Sequence, residues 1–216
     1  MGSQDSEQAQ LPSVVRVDIL TTMKTARYCA LLFSLLVLPP AAPSVAADAP
    51  LTVIQNGSQL SVEGWLETRA TREIAWSVLT DYVRFPEFVP GIQANHVLEA
   101  VGRSKTIAQR GEIVTGMFRL LYDGIMRVEE SPDQGLVILF LSGPLKDVRG
   151  EWRMEPSEKK RPLRLVYRMN IDMMKSPFPP PLAPGIAEQQ VRTWVDVFGR
   201  EMDKRMDNRS ERQKAK

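Results

Sequence analysis

Leu60, Val62 and Leu66 alternate with Ser61, Glu63 and Glu67, the period of a half-buried strand. This predicts a first strand. Thr71 then stands as a helix cap with Glu73 in the first turn, near the positive end of the dipole, and Ile74, Ala75, Val78, Leu79 and Tyr82 form one apolar stripe at helical spacing. The spacing predicts an amphipathic helix. In Phe85-Pro86-Glu87-Phe88-Val89-Pro90-Gly91 each proline disfavours helix in the residue before it, so only a short turn or broken helix fits.

From Ile92 to Met174 apolar and polar residues alternate, with turn signals at Gly102-Arg103-Ser104, Ser131 to Gly135, Ser142-Gly143-Pro144 and Glu158 to Pro162. Val148, Gly150, Trp152 and Met154 oppose Arg149, Glu151, Arg153 and Glu155; Leu163, Leu165, Tyr167, Met169 and Ile171 oppose Arg164, Arg168, Asn170 and Asp172. Connections this short demand antiparallel neighbours, because a parallel return needs a crossover. Ser176 to Gly185 holds prolines at 177, 179, 180, 181 and 184 and reads as an extended crossing segment. Beyond it, Ala187, Val191, Trp194, Val195, Phe198 and Met202 recur at intervals of three and four, opposite Glu188, Arg192, Asp196 and Arg200. Laying that helix across the apolar face of the sheet gives an α+β two-layer domain, with roughly six or seven strands curled into a cup.

The segment before the first strand has another texture. From Met23 the chain runs Lys24-Thr25-Ala26-Arg27, then an apolar stretch from Tyr28 to Leu38, then prolines and small residues to Ala47. A positive start, a short apolar stretch and a small-residue cleavage site make a signal peptide. The expectation is a leader over 1–47, with Met23 as the true start and cleavage near Ala46 or Ala47, then a domain over 48–210 and a solvated tail over 211–216. Cleavage removes Cys29, the chain's one cysteine, which suits an oxidising compartment. The protein is therefore expected to be exported, to the periplasm of a bacterium; the alternative is a signal-anchored protein at the membrane.

Composition then narrows the chemistry. With 28 basic and 26 acidic residues the formal charge is +2, and no strong field marks a nucleic-acid partner. One cysteine and one histidine, His96, are too few for a Cys/His zinc site or a Cys-His nucleophilic pair. No Walker loop, HExxH, GxSxG or dinucleotide fingerprint occurs. No catalytic residue, metal or cofactor is assigned.

Glu73 to Tyr82 followed by Phe85 to Gly91, then Gly150-Glu151-Trp152-Arg153-Met154-Glu155-Pro156, the alternating strand from Leu163 and the proline-rich entry to the last helix, resemble the START-like (SRPBCC) superfamily in the same order. The branch they resemble is that of the polyketide cyclase/dehydrase and coenzyme Q-binding START-like proteins, over roughly Leu60 to Met206. The resemblance implies a helix-grip fold, in which a curved antiparallel β-sheet wraps around a long C-terminal α-helix and the space between them holds an apolar ligand. A signal peptide departs from many members of that branch, which act in the cytoplasm or at mitochondrial membranes.

Within that fold the candidate ligand-binding side chains are Phe118, Tyr122, Phe140, Trp152, Tyr167, Met169 and Ile171 from the sheet, and Val191, Trp194 and Phe198 from the helix. Aromatic and thioether groups suit a flat or flexible apolar guest. His96 is read as a surface histidine, Asp81 as a local hydrogen-bonding group organising the turn into Phe85-Pro86, and Asp123 and Asp172 as solvent-face residues paired across strands. The tail from Lys204 onward mixes signs and reads as a solvated, fraying end. The expected function is a non-catalytic carrier of a hydrophobic small molecule or lipid, such as a quinone or polyketide-like compound, with transient membrane contact as a further expectation. A cyclase or dehydratase using the same cavity, or a protein-interaction module, are the alternatives; the sequence leaves oligomeric state open.

Overall fold

Eight strands form one antiparallel sheet in the order β1-β2-β8-β7-β6-β5-β4-β3. The computed structural model describes residues 49–157 and 162–214; the leader, the Met23 start and the cleavage site near Ala46 or Ala47 lie outside them. The hairpin of β1 (Leu51–Asn56) and β2 (Gln59–Thr68) leads into α1 (Arg72–Leu79), a 3₁₀ turn (Tyr82–Arg84) and α2 (Phe85–Phe88). These carry the chain to the far edge of the sheet. From there β3 (Ile92–Val101), β4 (Ser104–Thr115), β5 (Phe118–Ser131), β6 (Gly135–Phe140), β7 (Arg149–Pro156) and β8 (Leu163–Asp172) run as a meander back to β2. Finally α3 (Ala183–Lys214) crosses the concave face. This is the α+β helix-grip arrangement that the alternation and the resemblance lead one to expect.

The sheet has more strands than the six or seven expected, and its first strand precedes Leu60. β1 is an edge strand, and after Leu51 its residues are exposed, so no apolar alternation marks it. The inner strands behave as periodicity demands. On β5, Tyr122, Gly124, Met126 and Val128 are buried while Asp123, Arg127 and Glu129 are exposed.

Three helical boundaries differ from the sequence reading. Thr71 caps α1, its hydroxyl accepting from the Ile74 amide, but the helix stops at Leu79. Tyr82, expected on its last turn, lies in the 3₁₀ turn, where its hydroxyl donates to Glu130 Oε1 at 2.8 Å. The proline-rich stretch is not extended. The Leu182 and Ala183 amides both donate to the Pro179 carbonyl, at 2.8 and 3.0 Å, and α3 begins at Ala183 with Pro184 in its first turn, where a missing amide hydrogen costs nothing.

The tail is also corrected. α3 continues to Lys214, and Arg205 folds back to donate to Asp81 Oδ2 at 2.8 Å and Glu201 Oε1 at 2.9 Å. Asp203 accepts from Thr68 Oγ1 and from the Arg69 amide, both at 2.8 Å. These bonds tie the C-terminal half of α3 to the β2–α1 junction. Lys204, Asp207 to Arg209 and Glu211 to Lys214 are exposed as the solvated description expects, but they are helical.

Candidate ligand cavity

The side chains that point inward from β4 to β8 at every second position meet the underside of α3. Aromatic contacts join the two layers. Trp152 lies 4.5 Å from Tyr167 and 4.8 Å from Phe198 between ring centroids, and Tyr167 lies 5.2 Å from Trp194. Phe198 also meets Phe85 and Phe88 edge-on, at 5.2 and 5.5 Å. Such pairs add to the burial of apolar area. Between them lies a cavity of about 50 Å³, bounded by the rings of Phe85, Trp152, Tyr167, Trp194 and Phe198, by the β3 entry at Val89 and Pro90, and by Ile186, Ala187 and Gln190 of α3.

Two glycines make room for two tyrosines. A Cβ on Gly150 would stand 2.6 Å from Tyr167 Oη, and one on Gly111 would stand 2.7 Å from Tyr122 Oη. Both phenols therefore lie down over bare backbone, inside the layer. Tyr122 donates to Gln109 Oε1 at 3.0 Å, and both residues are buried. Tyr167 Oη and Trp194 Nε1 have no hydrogen-bond partner among the described residues, and the indole nitrogen is closed to solvent. Loss of hydration pushes both phenols well above the ordinary value, and at Tyr167 the neighbouring Tyr122 adds to the effect. They hold their protons throughout the physiological range. Glu112, the one charged side chain along the lining among the described residues, faces Arg119 at 3.3 Å and is about a quarter exposed.

Of the sequence candidates, Tyr122, Phe140, Trp152, Tyr167, Met169, Trp194 and Phe198 line the cavity. Three do not. Phe118 sits half-buried beside the β4–β5 turn with its ring 5.9 Å from Phe178, and Phe178 fills the lining position instead. Ile171 pairs with Leu60 and Val191 packs within 3 Å of where a Gly64 Cβ would be, so both belong to the solid core at the β2 end. Helical period alone cannot tell Val191 from Trp194, because the cavity ends part-way along the sheet.

Sequence reasoning missed Gln109, Met126, Ile138, Phe178 and Ile186, among others. Parity contained some of them. Met126 shares its face with Tyr122, Ile138 with Phe140, and Gln109 is a polar residue at the inward parity of Ile107 and Ile113.

The residues set aside for the surface fall as follows. His96 is exposed. Asp123 pairs with Arg110 on the neighbouring strand at 2.8 Å. Asp172 instead accepts from the Met174 amide at 3.1 Å, closing the turn after β8. Asp81 does more than organise a turn, since its nearest partner is Arg205 on α3. Among the described residues no group of His, Cys, Asp and Glu could hold a metal ion, and no helix is long and apolar enough to cross a membrane.

A family model described as polyketide cyclase / dehydrase and lipid transport matches residues 68–198. No curated protein matches the chain. Among solved structures, the Zhui aromatase/cyclase from Streptomyces sp. R1128 shares 16% identity at a TM-score of 0.56, covering 68% of this chain and 96% of that one. A START superfamily protein from Mycobacterium smegmatis shares 18% identity at a TM-score of 0.52, covering 68% and 97%. A STAR-related lipid transfer protein fragment from Xanthomonas axonopodis shares 15% identity at a TM-score of 0.50, covering 72% and 98%. Identities this low establish a shared fold and nothing finer. With the family match spanning more than half its length, the chain belongs to the polyketide cyclase/dehydrase and lipid transport family of the START-like superfamily.

Proposed function

We propose that this protein is an exported carrier that binds a hydrophobic small molecule, of quinone, lipid or polyketide-like type, between the sheet and α3. One observation carries the reading: the apolar layer between sheet and helix is not closed, and aromatic and thioether side chains surround the gap. At about 50 Å³ the cavity holds a few waters, each needing roughly 10–15 Å³. A drug-sized ligand needs a pocket of roughly 300 Å³ or more. Binding therefore requires the lining to part, and Phe178 is placed for this because it sits in the turn between β8 and α3, outside the strand ladder. Burying about 300 Å² of ligand surface at about 25 cal/mol/Å² favours binding by roughly 7 kcal/mol before association costs. Export to the periplasm, and transient contact with a membrane that supplies or receives the ligand, are part of the same proposal. The fully exposed Met117 at the β4–β5 turn, next to Phe118, gives such contact an apolar tip.

A second reading, a cyclase or dehydratase, draws support from the two tyrosines and Gln109 inside the cavity. Their chemistry limits it. Phenols whose pKa is pushed up stay protonated at neutral pH, where they can donate a hydrogen bond but cannot act as a base, and the only carboxylate on the lining among the described residues stands at its rim. Mass spectrometry of small molecules extracted from natively purified protein tests the carrier reading, with a stoichiometric apolar compound as the expected result. Protein that carries no such compound and takes up none from a mixed lipid and quinone extract would sink it.

A further inference from the structure

Inside an otherwise apolar cavity, the polar groups are unevenly matched. Tyr122 and Gln109 satisfy one another, whereas Trp194 Nε1 is closed off without an acceptor and Tyr167 Oη, on the facing strand with its ring 5.2 Å away, makes no hydrogen bond to any described residue. A buried donor left unmatched costs about as much as a lost hydrogen bond or more. The Tyr167 hydroxyl is not needed for packing, since phenylalanine fills nearly the same space as tyrosine and lacks the hydroxyl. Among the described residues no cation lines the cavity, and the one carboxylate, Glu112, stands at the rim already paired with Arg119 at 3.3 Å, so an anionic head inside would be left unpaired.

We infer that the cavity selects a neutral apolar molecule bearing a hydrogen-bond acceptor, such as a ketone or quinone oxygen, which is read by the Tyr167 hydroxyl and the Trp194 indole N–H, and that it rejects carboxylates. This rests on the carrier reading but goes beyond it, because an unselective greasy pocket needs neither donor. The ligand's oxygen meets the Tyr167 hydroxyl first, and reaches the indole N–H, which the closed cavity covers, only as the lining parts around the guest.

Three probes of matched shape separate the possibilities: 2-acetylnaphthalene, which carries the acceptor; 2-isopropenylnaphthalene, which lacks it; and 2-naphthoate, which is charged. Equilibrium dialysis against the full chain gives the three affinities, and the ratio of the first two removes the part owed to apolar burial. That ratio should fall about three- to tenfold in Tyr167→Phe, the range one net hydrogen bond supplies, and further in Tyr167→Phe/Trp194→Phe. 2-Naphthoate should bind at least about tenfold more weakly than 2-acetylnaphthalene, the cost of desolvating an unpaired charge being larger than that of the ketone. Circular dichroism and thermal melts confirm that the variants fold, and Tyr167→Phe alone suffices if the double variant does not. A ratio unmoved by Tyr167→Phe, or 2-naphthoate binding as tightly as the ketone, overturns the inference while leaving the carrier reading in place. Failure of all three probes to bind overturns both.

Discussion

Alkaline pH tests the burial of the phenols on which the cavity depends. Tyr82, Tyr122 and Tyr167 are 5%, 5% and 2% exposed. Each is pushed above the ordinary phenol value of about 10, chiefly by loss of hydration; at Tyr82 the carboxylate of Glu130, and at Tyr167 the neighbouring Tyr122, add to it. The folded state thus keeps protons that the unfolded chain gives up. This contribution to stability is complete below about pH 10, the unfolded value, and is lost as the pH climbs toward the higher folded values. Each such group lowers the unfolding free energy by about 1.4 kcal/mol per pH unit in that window, so three give about 4 kcal/mol per unit. A typical domain stability of about 5–15 kcal/mol is then exhausted within roughly one to four pH units. In a chain beginning at Asp48 these are the only tyrosines, which makes the phenolate absorbance a clean reporter. It should stay flat above pH 10 and then rise in one step together with loss of the circular dichroism signal. Tyr82→Phe, which leaves the cavity intact, should reduce the slope of urea-derived stability against pH by about 1.4 kcal/mol per unit. A phenol that ionises near its ordinary value while the fold persists would refute the argument for that residue.

Phe198→Ala removes the ring on which Phe85, Phe88 and Trp152 converge, and should cost about 3–5 kcal/mol in urea unfolding; a loss below about 1 kcal/mol would mean that the neighbours collapse into the space. Arg205→Met leaves the 9%-exposed Glu201 side chain with only Lys204 at 3.7 Å and should cost about 1–3 kcal/mol, whereas Arg84→Met, at a half-exposed position, should cost less than about 1 kcal/mol. Equal losses would show that burial does not govern these pairs. Gly150→Ala places a methyl group 2.6 Å from Tyr167 Oη and should destabilise by about 1–3 kcal/mol. Adding Tyr167→Phe removes the clashing atom and should recover part of that loss, so strict additivity in the double variant would count against the close approach.

How much of this was legible in the sequence depended on how completely a residue's surroundings follow from its own strand or helix. The strands β2, β7 and β8 announced themselves because Glu63, Glu67, Glu151, Glu155, Arg153, Arg164 and Arg168 pair with one another across the outer face, as in Arg153–Glu63 at 2.9 Å and Arg168–Glu63 at 2.7 Å. Their alternation was therefore sharp. β1 stayed hidden because an edge strand has one neighbour and little to bury. The helical end of the chain misled for a related reason: Arg205 and Asp203 look like surface charges until their partners Asp81, Thr68 and Arg69, more than a hundred residues away in the chain, are brought beside them. Parity found seven of the cavity's lining residues but not its limits, because whether Val191 or Trp194 meets empty space depends on where the facing strand carries a large side chain. Gly150 and Gly111 show this most plainly. As sequence they are gaps in an apolar pattern, yet in the fold they are the floor that lets two phenols lie inside.

The placement of polar ties along α3 gives the cavity a direction in which to open. Its C-terminal half is fixed by directional bonds from Asp203 to Thr68 and Arg69 at the end of β2, and from Arg205 to the Ser77 carbonyl of α1 and to Asp81 beyond it, with Glu201 holding Arg205 within α3. Its N-terminal half, where Ile186, Ala187, Gln190 and Trp194 cover the cavity, is held mostly by apolar contact, with Arg192 donating to the Ala49 carbonyl at 3.1 Å. Apolar contact is non-directional and re-forms around a guest at little cost, whereas a charge-assisted bond loses most of its strength when its geometry shifts. A ligand that must widen a 50 Å³ gap therefore meets least resistance at the start of α3 and the turn that carries Phe178. On the carrier reading, the same asymmetry makes one helix the anchor of the fold at one end and the wall that gives way to the ligand at the other.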